Sequence, residues 1–165
     1  MSEPEKRNQN RPKFLCDAML GSLARWLRFF GFDTTYLNPG VADTVLAELA
    51  LSEGRWLLTR DRELAAVGPR TVLVRTERLD DQLVEVLSRL SLCPAANLKN
   101  SRCGECNGTL HGVEREDVTD LIPTYVFATA TRFRRCESCG RVYWPGTHSA
   151  RIVDRMQACV DRLNG

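Results

Sequence analysis

The chain has 165 residues, 43% of them hydrophobic and 27% charged, proportions ordinary for one globular domain with room for a small second unit. These values exclude a disordered, collagen-like or coiled-coil protein, and no apolar run approaches the ~18 residues that span a membrane. The net charge is only +2, so bulk electrostatics do not mark a nucleic-acid binder.

The polar opening MSEPEKRNQNRPK lacks the apolar core of a secretory signal, and a soluble, cytoplasmic protein with no membrane partner is expected. Residues 1–12 read as a solvated tail. From Lys13 short apolar runs alternate with helical periods. Phe14-Leu15-Cys16 reads as a buried strand that ends at Asp17. Leu20, Leu23, Ala24, Leu27 and Phe30 recur at three- and four-residue steps, which predicts an amphipathic helix over 19–30, stopped by Gly31. Residues 34–37 form a second strand, and Asp43 opens a helix with Val45, Leu46, Leu49 and Ala50 on its apolar face.

Trp56-Leu57-Leu58-Thr59 is a third strand, with Asp61 just past its end, and 71–74 is a fourth. Asp80 or Asp81 then caps a helix that carries Leu83, Val86, Leu87 and Leu90 on one face. Strands alternating with helices predict a parallel α/β sheet with helices on both faces. After Pro94 the texture changes. Residues 102–148 hold two C-x-x-C pairs, several glycines and few apolar runs, and a last helix follows over 149–163. The expected organisation is a tail at 1–12, an α/β domain at 13–98, and a small metal-held unit with the C-terminal helix at 99–165.

Open parallel sheets carry their sites outside the carboxyl ends of the strands. Asp17 and Asp61 follow strands one and three, and Asp43 starts the intervening helix. Three carboxylates in one crevice repel one another unless a cation lies among them, and hard oxygen ligands suit Mg²⁺ or Mn²⁺. Such an ion polarises a phosphodiester and activates a water. The plain alternatives are helix capping by Asp43 and by Asp61. Asp17 has less structural excuse at the end of an apolar strand.

Seven cysteines are present. Cys103-x-x-Cys106 and Cys136-x-x-Cys139 supply four soft thiolates, the ligand set of a closed tetrahedral zinc site. The 29 residues between the pairs exceed the common ~15–20 spacing, and an excursion through 114–123 accounts for the excess. A thioredoxin-like redox pair is the competing reading, but it expects one C-x-x-C beside a βαβ unit. With four sulfurs the zinc is full and structural. Cys16, Cys93 and Cys159 read as buried small hydrophobes, and His111 is surplus to the zinc. Arg132, Arg134, Arg135 and Arg141 alternate with Phe133, Tyr143 and Trp144. This pattern serves either to grip single-stranded RNA or to pack a small ribbon.

The stretches FLCDAMLGSLARWLRFFGFDTTY at 14–36, EGRWLLTRDREL at 53–64, RCGECNGTL and YWPGTH resemble the C-terminal RNase family named after the worm mut-seven protein. The resemblance runs from about Lys13 to His148. It implies a PIN-like nuclease domain followed by a zinc ribbon, and a metal-dependent ribonuclease whose strand-end acids are Asp17, Asp43 and Asp61. A fourth acid falls among Glu77, Asp80 and Asp81. Arg60 is expected in the catalytic site. Arg25, the ribbon arginines and His148 are expected at the RNA. Endonucleolytic cleavage of single-stranded RNA is the expected reaction, and a non-catalytic RNA-binding adapter is the alternative.

Overall fold

The computed structural model describes residues 11–165, so residues 1–10 of the expected tail lie outside the described residues. Arg11, assigned to that tail by sequence, is instead half-buried. Its guanidinium donates to the Phe30 carbonyl at 3.2 Å and lies 4.6 Å from the Phe32 ring centroid. No helix among the described residues is long and apolar enough to cross a membrane.

The first unit is a parallel α/β layer. Its four strands are β1 (Lys13–Cys16), β2 (Thr34–Tyr36), β3 (Arg55–Thr59) and β4 (Thr71–Leu73), all parallel, in the order β2-β1-β3-β4. A single 3₁₀ turn (Ala18–Leu20) leads into α1 (Gly21–Phe29); α2 (Asp43–Ser52) and α3 (Arg62–Ala65) complete the crossovers, and α4 (Leu79–Arg89) follows the last strand. The predicted helical stripe is real: Leu20, Leu23, Ala24 and Leu27 are all buried, against Phe14, Leu58, Val72, Leu83, Val86 and Leu87. A smaller cluster of Leu15, Leu46, Ala50, Leu57 and Leu64 fills the opposite face of the sheet. Burial on both faces explains why the strands read as apolar runs instead of alternating. Truncating Leu27 to Ala would cost about 2–5 kcal/mol by the transfer and cavity terms together.

The strand order reverses between β1 and β3, because the chain moves from β1 to one side for β2 and to the other for β3. That switch opens a crevice at the carboxyl ends of the two central strands.

The second unit is an antiparallel sheet of β5 (Leu110–Val113), β6 (Phe133–Cys136) and β7 (Val142–Tyr143). The excursion between β5 and β6 folds into a 3₁₀ segment (Glu116–Leu121) and α5 (Thr124–Thr129), with a core of Val118, Ile122, Val126, Ala130 and Phe133. The last helix, α6 (Thr147–Asn164), follows the ribbon in sequence but returns to the first unit, where Ile152, Met156 and Cys159 join the core of α1 and α4. Asp80 and Asp81 on α4 meet Arg155 and Arg162 of α6 at 2.6 and 2.7 Å.

The two units are joined by side chains whose charge conceals their burial in the sequence. Arg28 of α1 is only 7% exposed. It donates to the carbonyls of Thr34 (2.9 Å), Gly104 (2.9 Å) and Glu105 (3.1 Å), the last two lying inside the first cysteine knuckle. Its own main-chain carbonyl accepts from Arg102 N–H. Asn107 receives the Thr34 N–H at 2.9 Å and donates to Asp33 at 2.7 Å, and Asp33 pairs with Arg55. Burial by itself would raise the pKa of Asp33, but hydrogen bonds from Arg55 and Asn107 more than offset it and hold the group below its usual range.

Candidate metal centres and nucleic-acid interface

At the β1/β3 switch the main chain pins the first acid. Asp17 N–H donates to the Leu58 carbonyl at 3.1 Å, which continues the ladder one residue past β1 and sets Asp17 beside the end of β3. Asp17 is 6% exposed, and its carboxylate accepts three hydrogen bonds. The Thr59 hydroxyl and the Arg60 N–H (3.3 Å) reach Oδ2, and the Met19 N–H (3.0 Å) reaches Oδ1. The same Thr59 oxygen accepts from the Asp61 N–H at 2.9 Å. Asp17, Thr59, Arg60 and Asp61 therefore form one connected turn-and-strand assembly at the carboxyl edge. The neighbouring Cys16 thiol is pushed up by burial, and further by the charge of Asp17, so it stays protonated and inert.

Asp61 is exposed and also caps α3, its Oδ1 accepting from Glu63 N–H (2.7 Å) and Leu64 N–H (3.1 Å). Its other carboxylate oxygen takes part in neither cap bond. Asp43 departs from the capping alternative. The N-cap of α2 is Ala42, which makes no side-chain cap bond, and Asp43 is an exposed residue of the first helical turn. Among the described residues the three aspartates do not draw their oxygens within 4.8 Å of one another; the cysteine tetrad alone meets that spacing. The donor set suits a hard cation that keeps part of its water shell, as Mg²⁺ does when held by one or two carboxylates.

The possible fourth acids separate clearly. Asp80 and Asp81 are occupied by α6, whereas Glu77 faces Arg60 at 3.6 Å with 86% of its side chain exposed. Arg60 is partly buried beside the switch, with its main chain on Asp17 and its guanidinium toward Glu77.

In the second unit the four thiols of Cys103, Cys106, Cys136 and Cys139 lie within 4.8 Å of one another. Cys103 Sγ is 3.6 Å from Cys139 Sγ, and Cys106 Sγ is 3.4 Å from Cys136 Sγ. Zinc–thiolate bonds of ~2.3 Å at tetrahedral angles require sulfurs about 3.8 Å apart, so the cluster fits zinc with little adjustment. The knuckle admits no side chain at Gly108, where a Cβ would meet Cys136 Sγ at 2.6 Å. The Tyr143 hydroxyl donates to Cys103 Sγ at 3.0 Å. Burial would raise Cys103, yet the bonds from Tyr143 and from the Cys106 main chain hold that thiol below its ordinary value. Cys106 is pushed up to about 12 by desolvation and by the adjoining thiols. Four crowded sulfurs become thiolates together when a soft dication neutralises them.

The ribbon arginines do not act alike. Arg134 is committed to structure, donating to the carbonyls of Leu98 (2.7 Å), Ser101 (3.4 Å) and Leu110 (3.1 Å) and to Ser101 Oγ (3.2 Å). These bonds hold the linker against the ribbon. Arg135 donates to the Gly140 carbonyl, and Arg25 and Arg141 share Glu105. Arg132 and His148 are exposed. Phe133 is buried, Tyr143 faces the tetrad and Trp144 packs with the Val118 cluster, so the interleaved aromatics serve packing. Cys93, expected to be buried, is exposed, and His111 is exposed as well. Sequence reasoning also passed over Arg62 and Arg75, which line a depression beside Arg60. The charged run TRDREL was the available signal for Arg62.

The chain thus joins a parallel α/β layer with acids at its switch point to a small antiparallel sheet that carries a four-cysteine cluster. The Mut7-C RNAse domain model matches residues 12–156 of the chain, and the protein belongs to that family. Searches of the curated proteins and of the solved structures each found no match.

Proposed function

We propose that the protein is a Mg²⁺- or Mn²⁺-dependent endoribonuclease acting on single-stranded RNA, with Asp17, Asp43 and Asp61 as the carboxylates that hold the ion. The observation that carries the reading is the Thr59-centred link that fixes Asp17 and Asp61 at the β1/β3 switch point, in a chain of an RNase family. When bound, a hard dication supplies Lewis acidity toward a phosphodiester oxygen and lowers the pKa of a coordinated water.

The protein's own groups divide the remaining tasks. Thr59, Arg60 N–H and Met19 N–H orient Asp17 and satisfy three of its acceptor positions. Asp43 and the second oxygen of Asp61 offer the open ones. Arg60 is placed to meet phosphate charge, and Glu77 supplies the fourth acid. The ribbon, with Zn²⁺ in its four thiolates, presents Arg132, Arg135 and Arg141 to RNA, alongside Arg25 of α1 and His148 at the start of α6.

The test is cleavage of labelled single-stranded RNA with Mn²⁺ by the wild-type chain and by Asp17→Asn. Cleavage by the wild type, lost in the variant with binding retained, supports the assignment; equal cleavage by both removes it. The capping role of Asp61 and the spacing of the acids favour, as a second reading, a non-catalytic RNA-binding adapter. Tight binding with no cleavage in either protein selects that reading.

A further inference from the structure

The ends of β3 and β4 enclose an open depression of about 730 Å³ lined by Arg60, Arg62, Leu73, Val74 and Arg75. Three arginines line one concavity; the carboxylates of Asp17, Asp61 and Glu85 lie close by but are engaged by main-chain N–H groups. Among the described residues the Arg60 guanidinium pairs only with the exposed carboxylate of Glu77, at 3.6 Å. Arg62 and Arg75 are exposed, and neither guanidinium forms an ion pair or hydrogen bond among the described residues. By contrast, Arg25 and Arg141 both pair with Glu105, and Arg55 lies between Asp33 and Glu53.

The scaffold under these side chains is held firmly. Arg75 N–H, Thr76 N–H and the Thr76 hydroxyl all donate to the Glu85 carboxylate, at 2.9 to 3.1 Å. The Gln82 amide donates to the Thr76 and Glu77 carbonyls. Val74 N–H extends the ladder to the Thr59 carbonyl at 2.7 Å. Arg62 stands in the first turn of α3, immediately after the capping Asp61. Arginines presented from fixed backbone bind phosphate with little ordering cost. Leu73 and Val74 add an apolar wall suited to a ribose or a base face.

We infer that this depression is a phosphate-binding subsite for one RNA strand, in which Arg62 and Arg75 grip consecutive backbone phosphates next to the acidic switch point. The inference rests on the nuclease reading for its choice of ligand, and it names where the strand leaves the acids: across the end of β3 toward β4, the last strand of the sheet. It assigns Arg62 and Arg75 to substrate binding and not to the chemical step.

The test uses the zinc-loaded full chain and a labelled single-stranded RNA, with anisotropy followed against salt in the absence of Mg²⁺ and Mn²⁺. Each phosphate contact on a single strand contributes ~0.7 to the slope of log affinity against log salt. The double variant R62Q/R75Q is expected to reduce that slope by about 1.4 and to weaken low-salt binding at least tenfold, with an unchanged melting temperature. R62K/R75K should restore the slope but only part of the affinity, because lysine cannot form the bidentate fork. With Mn²⁺ added, R62Q/R75Q should raise KM and leave kcat near the wild-type value. An unchanged slope and KM in R62Q/R75Q, in a wild type that cleaves, overturns the subsite and leaves the nuclease standing. A reduced slope, in a wild type that fails to cleave with either Mg²⁺ or Mn²⁺, upholds the subsite and overturns the nuclease.

Discussion

The Thr59 hydroxyl donates to the carboxylate of Asp17 and accepts the main-chain N–H of Asp61, so one buried side chain ties together two acids separated by more than forty residues of sequence. Thr59 is 0% exposed, and water cannot replace it. Thr59→Val keeps the shape and removes the hydroxyl. It should destabilise the fold by about 1–3 kcal/mol, since a buried carboxylate loses a donor, and should lower RNA cleavage at least tenfold. Thr59→Ser should retain most activity. Denaturation midpoints and initial cleavage rates of the two variants check both points.

Arg28 is the clamp between the units. Arg28→Met preserves the stem but leaves the carbonyls of Thr34, Gly104 and Glu105 without their donor. A loss of roughly 2–4 kcal/mol is expected, read as a lower urea midpoint. Amide exchange should accelerate first in the 102–108 knuckle and at the start of β2.

The charge on Asp33 makes stability fall in acid. Its folded pKa lies below the unfolded value of ~3.9, so its contribution is complete above that value and is lost as pH falls through the lower, folded one. Asp33→Asn should be less stable than wild type at neutral pH and should show a shallower decline below pH ~4. Thermal melts from pH 7 to pH 3 test this; parallel curves would contradict it.

Glu77, Asp80 and Asp81 are separated by function. D80N/D81N removes two exposed ion pairs to α6 and should cost at most about 1 kcal/mol, with RNA cleavage close to wild type, because Met156 and its neighbours keep the helix docked. Glu77→Gln should lower cleavage severalfold with an unchanged melting temperature. Reversed effects in the cleavage assay would place the fourth acid on α4.

Much of this architecture is visible in the residue order. A sheet buried on both faces makes Phe14-Leu15-Cys16 and Trp56-Leu57-Leu58-Thr59 into apolar runs, and one-sided helices space Leu20, Leu23 and Leu27 at helical intervals. The tetrad is legible because tetrahedral thiolate coordination demands paired C-x-x-C knuckles. Other features depend on partners remote in sequence. A buried arginine looks like a solvated one until carbonyls from residues 104 and 105 arrive to satisfy it, as with Arg28. Arg134 is hidden in the same way. Cys93 reads as buried from its apolar neighbours, yet the chain leaves the core there. Asp80 and Asp81 look like helix caps, but their partners lie on α6, some 75 and 81 residues away.

The most direct measurement is titration of the zinc-loaded protein with Mn²⁺, following bound ion by electron paramagnetic resonance in wild type, Asp17→Asn and Asp61→Asn. The account predicts Mn²⁺ bound by the wild-type chain and affinity lowered at least tenfold in each variant, with the zinc content constant. Equal Mn²⁺ binding by all three proteins would contradict it.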